Sequence, residues 1–308
     1  AATAPATALG RILVGLDARR RAGAPALALV PCDNIPENGR MLAEALHTFA
    51  QLVEPALATW LTDGVSVVST SVDRITPRVA TAELADLGSV TGWIDAAPVV
   101  TEPFSDWVLS GEFPSARPDW AAAGARFVDE IAPWENRKLW MLNGAHTLVA
   151  LLGGLRGHSL VAEAIDDRLV RDAVDRLWDE DVCHLPDLDL AAYRAALIER
   201  FRNPRIEHRL DQIREDTLTK LRLRIVPVAL REREAGRSGR ACATAVASWI
   251  ASVAAGQSHQ PGSLDTAELI SAVDPRLGRD DTFCLEVAAS LATLTALSAD
   301  APERMEHR

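Results

Sequence analysis

Lys138, Asn143 and His146 stand in the stretch KLWMLNGAH, among residues that otherwise read as the apolar side of a helix. A lysine in a dry setting can give up a proton and take it back. An amide N–H can hold a carbonyl oxygen that gains negative charge, and an imidazole can bond a neighbouring hydroxyl. The set suits reduction of a ketone and the reverse oxidation. At 100° per residue the three fall at about 0°, 140° and 80° on a helical wheel, one broad face that they share with Leu139 and Leu142. Polar groups in such a surround cost free energy unless they bond to one another, to backbone or to a ligand. Near the start of a helix and desolvated, Lys138 has its ammonium form disfavoured twice, which moves its pKa toward neutrality. Taken singly, His146 reads as a satisfied core histidine and Asn143 as a capping or packing residue before Gly144. Taken together, the trio reads as catalytic.

A second signal is compositional. The chain has 32 basic residues, and only Lys138 and Lys220 are lysine. With one tyrosine and abundant alanine this looks like GC-rich coding, in which arginine replaces lysine wherever a generic positive charge is enough. Arginine stays protonated at any working pH, so a proton-transfer site cannot accept that exchange. Chance survival of either lysine is the bland alternative.

These residues need elements to hold them, and the period of the apolar positions changes once along the chain. Residues 1–128 mix helices and strands. Leu9, Ile12, Leu13 and Leu16 have helical spacing, and ALALVPCDN reads as a short buried strand ending in a polar turn. A helix bent near Pro55 follows over about 38–60, then a strand VSVVSTS, a loop VDRITP and a strand-like PVVTEPFSDWVLSG. The alternation predicts part of a mostly parallel sheet. Residues 129–308 are nearly all helical, with helices expected at 134–153, 159–182, 189–202, 205–235, 239–255, 264–273 and 281–298. The fold class is therefore α/β followed by all-α. No internal repeat is visible.

Composition excludes several classes of function. A formal charge of −11, with arginines scattered beside acidic residues, argues against a nucleic-acid binder. No apolar run reaches the length of a membrane span and the start AATAPATALG lacks the regions of a signal peptide, so a soluble cytoplasmic protein is expected. Cys32, Cys183, Cys242 and Cys284 lack CxxC spacing or a histidine partner, which predicts four buried or half-buried free thiols, no zinc site and no disulfide framework. Oligomeric state is not legible.

Lys, four residues, Asn, two residues, His, as in KLWMLNGAH, resembles the signature of the polyol-specific long-chain dehydrogenases, the mannitol dehydrogenase family. Its branches include mannitol 2-dehydrogenase, fructuronate reductase and tagaturonate reductase. VPCDNIPENG at 30–39, SVDRITP at 71–77, EPFSDWV at 102–108 and RFRNPRIEHRL at 200–210 look like family blocks in family order. The resemblance implies an NAD- or NADP-dependent oxidoreductase that needs no metal. It implies that Lys138 is the general acid/base and that Asn34 of CDN joins Asn143 in polarising the substrate carbonyl. Asp73 and His146 would contact substrate hydroxyls or orient the lysine, and Lys220 would bind substrate.

Two departures shape the expectation. Gln212 stands eight positions before Lys220, where mannitol 2-dehydrogenases have arginine, and HRLDQI is closer to the uronate-reductase branch. If the substrate carries a carboxylate, Lys220, Arg205, Arg209 and Arg74 are the cations to meet it. No GxGxxG turn occurs, and LGGLRG at 152–157 has the wrong spacing. Residues 1–128 are thus expected to be the last part of a Rossmann-like dinucleotide-binding domain in an N-terminally incomplete chain, inactive alone, with residues 129–308 the helical substrate domain. The rival from another class is a cofactor-free sugar-binding module.

Overall fold

The computed structural model describes residues 5–78, 91–93, 95–256 and 265–299. Two units form, one from Ala1–Arg74 with Pro103–Glu135 and the other from Ile75–Glu102 with Asn136–Arg308. An α/β part followed by a helical part is the order that the change of apolar period predicts. Among the described residues no helix is long and apolar enough to cross a membrane.

In the first unit, helix α1 (Ala8–Arg21) is capped by Thr7, whose hydroxyl accepts from the Gly10 N–H at 3.1 Å, and it buries Leu13 and Leu16. Strand β1 (Leu27–Leu29) leads through a loop to α2 (Asn38–Val53) and α3 (Pro55–Gly64). The single bent helix expected there is two helices. Glu54 is extended at φ −154°, and Pro55 opens α3 where no N–H is needed. β2 (Val65–Val67) pairs parallel with β1. β3 (Ser69–Asp73) pairs antiparallel with β4 (Asp106–Ser110), and β4 pairs parallel with β5 (Arg126–Phe127). VSVVSTS is therefore split between two sheets at Val68, and the second sheet is mixed where a mostly parallel one is expected. Leu13, Leu16, Leu46, Ala50, Leu57 and Leu61 form the core of this unit.

The second unit is built on a helical run in three parts: α4 (Ala132–Arg137), a π-helical turn over Lys138–Gly144, and α5 (Ala145–Leu155). The unit division falls within α4. Every residue from Ala145 to Gly153 is buried, as expected of a helix surrounded on all sides. Around it lie α6 (Val161–Asp166), α7 (Arg168–Val182), α8 (Leu190–Phe201), α9 (Leu210–Arg214), α10 (Thr217–Arg224), α11 (Val226–Glu234), α12 (Arg240–Gly256), α13 (Thr266–Val273) and α14 (Asp281–Ala299).

The helix expected over 159–182 breaks at Asp167, whose side chain caps Leu169. The one expected over 205–235 is three helices, interrupted at Asp216, with φ 52°, and at Ile225, with φ −110°, two residues before Pro227. Leu264, at the start of the helix expected over 264–273, lies outside the described residues. The four cysteines are free, and Cys32 and Cys183 are exposed, contrary to the expected burial.

Candidate active site

The helical run around Lys138 corrects the wheel drawn from sequence. A π turn bonds each residue to the one five along, so Lys138 and Asn143 stand closer on their shared side than the about 140° of an α-helix. Outside donors support the turn. The Trp178 indole N–H on α7 donates to the Met141 carbonyl at 2.8 Å. Arg224, the last residue of α10, donates through Nη1 to the Asn143 carbonyl at 3.2 Å and to Thr147 Oγ1 at 3.1 Å. Just before the turn, Arg137 is buried against the Tyr193 ring at 4.2 Å and donates to the Leu188 carbonyl at 3.1 Å. Lys138 is itself buried, 8% exposed. The helix starts at Ala132, so Lys138 lies beyond the first turn and the expected dipole effect of a helix start does not reach it.

His146 is the second residue of α5 and is also buried, and its Nε2 has no hydrogen-bond partner among the described residues. Its ring meets Phe201 at 4.5 Å and, edge to face, His208 at 4.8 Å. Burial, then the charges of His208, Arg200, Arg224 and Lys138, hold its pKa well below the usual imidazole range. It is neutral. His208 is lowered to about 4, by burial and then by Lys220. Lys220 donates from Nζ to the Ile213 carbonyl at 2.8 Å, and burial, then Arg224, lower its pKa. Arg224 falls to about 10 through burial.

A buried ion pair backs this group. Arg200 on α8 donates from Nε and Nη2 to Glu102 at 3.0 and 2.8 Å, and Glu102 also accepts from the Ile75 N–H at 2.5 Å. The second unit thus brings together Lys138, Asn143, His146 and Lys220.

Asn34 and Asp73 belong to the first unit. Asn34 is exposed in the loop after β1. That loop is stapled by Asn38, buried at the start of α2, which donates to the carbonyls of Asp33 at 3.0 Å and Thr70 at 2.8 Å and accepts from the Thr70 N–H at 3.0 Å. Next to it, a Cβ on Gly39 would meet the backbone of Ser69 at 2.9 Å, so only glycine allows α2 to approach β3 this closely. Asp73 ends β3, buried opposite Asp106, which accepts from Arg126 Nε at 2.8 Å.

Asn38, Arg224, His208 and the Glu102–Arg200 pair were not singled out from sequence. The Asn38-Gly39 dipeptide, a turn signal, marks the loop in the sequence. Of the cations considered for a carboxylate, Arg209 is paired with Asp211 at 2.8 Å, and Arg205 and Arg74 are exposed.

A model of the mannitol dehydrogenase Rossmann domain matches residues 2–122, and one of the mannitol dehydrogenase C-terminal domain matches residues 130–268. The chain belongs to the mannitol dehydrogenase family. The expected incompleteness of the Rossmann part is not borne out, since the Rossmann model matches from residue 2. Among family relatives, D-mannonate oxidoreductase of Escherichia coli is 36% identical over 279 residues, 89% of this chain and 56% of that protein. Mannitol 2-dehydrogenase of Aspergillus fumigatus is 33% identical over 252 residues, 79% of this chain and 50% of that protein. The chain spans about half the length of these curated relatives. Pseudomonas fluorescens mannitol 2-dehydrogenase, solved as a ternary complex with NAD and D-mannitol, superposes with a TM-score of 0.79 at 30% identity, over 96% of this chain and 65% of that one.

Proposed function

We propose that this chain serves an NAD(P)-dependent oxidoreductase that interconverts a polyol or aldonate with its 2-keto sugar or keto-uronate. The observation that carries the reading is the π turn, which sets buried Lys138 and half-buried Asn143 on one side, with the unbonded Nε2 of His146 buried close by. π turns are rare and concentrate at functional sites. The family supports the reaction class, and the relative solved as a complex with NAD and D-mannitol supports the cofactor and substrate class.

In this reading the Lys138 ammonium delivers a proton to the substrate carbonyl oxygen, and the amine takes it back when the alcohol is oxidised. Asn143 and Asn34 hold that oxygen as it gains charge. His146, neutral and with Nε2 unbonded, takes a substrate hydroxyl, as does Asp73, and Lys220 completes the substrate contacts. NAD or NADP supplies or accepts the hydride when bound. The donor set fits such a partner, because lysine, amide and imidazole each suit a proton or hydrogen-bond task and none can carry a hydride. No glycine turn of the phosphate-binding kind stands in the sequence, so no residue of this chain is assigned to the cofactor. The helical part from about residue 129 is the substrate domain in this proposal, and the compartment is the cytoplasm.

Absorbance of reduced nicotinamide, followed on the purified protein with NAD or NADP and either D-mannitol or D-mannonate, tests the reading. Turnover with one of the two is expected. Calorimetric binding of the polyol or aldonate without any turnover would favour the cofactor-free sugar-binding module, a reading that the missing glycine turn motivates.

A further inference from the structure

Arg224, half-buried beside Asn143, has no carboxylate to balance its charge among the described residues. Its Nη1 is bound to two neutral acceptors, the Asn143 carbonyl and Thr147 Oγ1. Its Nε and Nη2 donors have no protein acceptor, and no carboxylate pairs with it, among the described residues. The other arginine whose charge reaches His146, Arg200, is neutralised bidentately by Glu102. Lys220, one helical turn before Arg224, is engaged by the Ile213 carbonyl and feels Arg224 as a repelling charge. The histidines facing this group, His146 and His208, are neutral near pH 7 and supply no negative charge.

A half-buried guanidinium with no counter-ion has lost part of its hydration without a charged partner, and its fork of parallel N–H donors matches a carboxylate. Resting on the function proposed above, we infer that Arg224 binds a substrate carboxylate, so that the substrate pair is an aldonate and its keto acid in preference to a neutral polyol and ketose. Arg224 thereby takes the role that sequence reasoning gave to Lys220. By holding the Asn143 carbonyl with Nη1, it also ties recognition of the carboxylate to the position of the amide that holds the reacting oxygen.

The test compares D-mannonate with D-mannitol, which differ in carrying a carboxylate or a hydroxymethyl at one end. The unaltered protein should show the higher kcat/KM on D-mannonate, with a preference that shrinks as salt is raised. Hydrogen bonds to a charged group contribute about 1.5–3 kcal/mol, so Arg224→Gln should lower the ratio of kcat/KM values, mannonate over mannitol, by roughly ten- to a hundredfold, mainly through KM for mannonate. Arg224→Lys, which keeps the charge and loses the fork, should fall between. Equal losses on both substrates would reduce Arg224 to a support for Asn143 and overturn the inference. A preference of the unaltered protein for D-mannitol would overturn it as well, whether or not the variants fold. Absence of turnover on both substrates with NAD and NADP would instead fail the function proposed above.

Discussion

The rings of His146 and His208 meet edge to face with centroids 4.8 Å apart, and both imidazoles are held neutral by burial and by the positive charges around them. Their pKa values are lower folded than unfolded. The stability they contribute is therefore full above the unfolded value of 6.5 and is lost as pH falls toward about 4, where His208 protonates in the folded chain. Thermal unfolding should show Tm dropping between pH 7 and pH 4.5, by a stability loss on the order of 1–3 kcal/mol from His208. His208→Gln should flatten that drop. An identical pH profile for the variant would show that the pair does not titrate as described.

The Glu102–Arg200 pair holds the segment ending at Glu102 to α8 and removes one buried positive charge from the neighbourhood of His146. Glu102→Gln leaves that charge uncompensated and should cost about 3–5 kcal/mol in denaturant unfolding. Adding Arg200→Met should restore most of the loss, because both charges are then gone. A single variant within about 1 kcal/mol of the parent would contradict the burial and pairing assigned here.

Asn38 and Gly39 set the loop that carries Asn34. Asn38→Ala orphans the Thr70 N–H and the carbonyls of Thr70 and Asp33, at about 1–3 kcal/mol for each group that stays dry. Gly39→Ala forces a Cβ into the Ser69 backbone. Both should lower Tm and turnover together. If either variant keeps its stability and its rate, the loop is held by something other than this staple.

The fold was legible where one residue type dictates local structure and illegible where geometry departs from the regular period. Alternating and helical apolar patterns separated the α/β part from the helical part. The apolar period hid the breaks at Asp167, Asp216 and Ile225, because helical periodicity runs across a cap without a gap. The π turn was the main obstacle. A wheel at a fixed 100° sets Lys138 and Asn143 about 140° apart on one broad face, and it cannot show that the turn draws them closer, since one extra residue in the turn changes every later angle. The trio itself was visible through its polar types in an apolar surround. Arg224 was not, since one arginine among many carries no compositional signal until its missing counter-ion is seen.

Trp178 supports the turn from outside through the Met141 carbonyl. Trp178→Phe keeps most of the buried ring and removes the indole N–H, at a stability cost of about 1–3 kcal/mol. Turnover should fall by more than KM rises, because the turn sets the relation of Lys138 to Asn143. A change confined to stability would separate the indole from the site.

Lys138 carries the central claim, and its replacement by methionine tests that claim most directly. In steady-state kinetics of the purified protein, with stability checked by thermal unfolding and cofactor affinity by fluorescence titration, Lys138→Met should lower kcat roughly a hundred- to ten-thousandfold. Cofactor affinity should stay close to that of the parent, and Lys138→Arg should be as inactive as the methionine variant, since it cannot release its proton. A folded Lys138→Met protein that turns over within about threefold of the parent would contradict the assignment of Lys138 as the proton donor and acceptor.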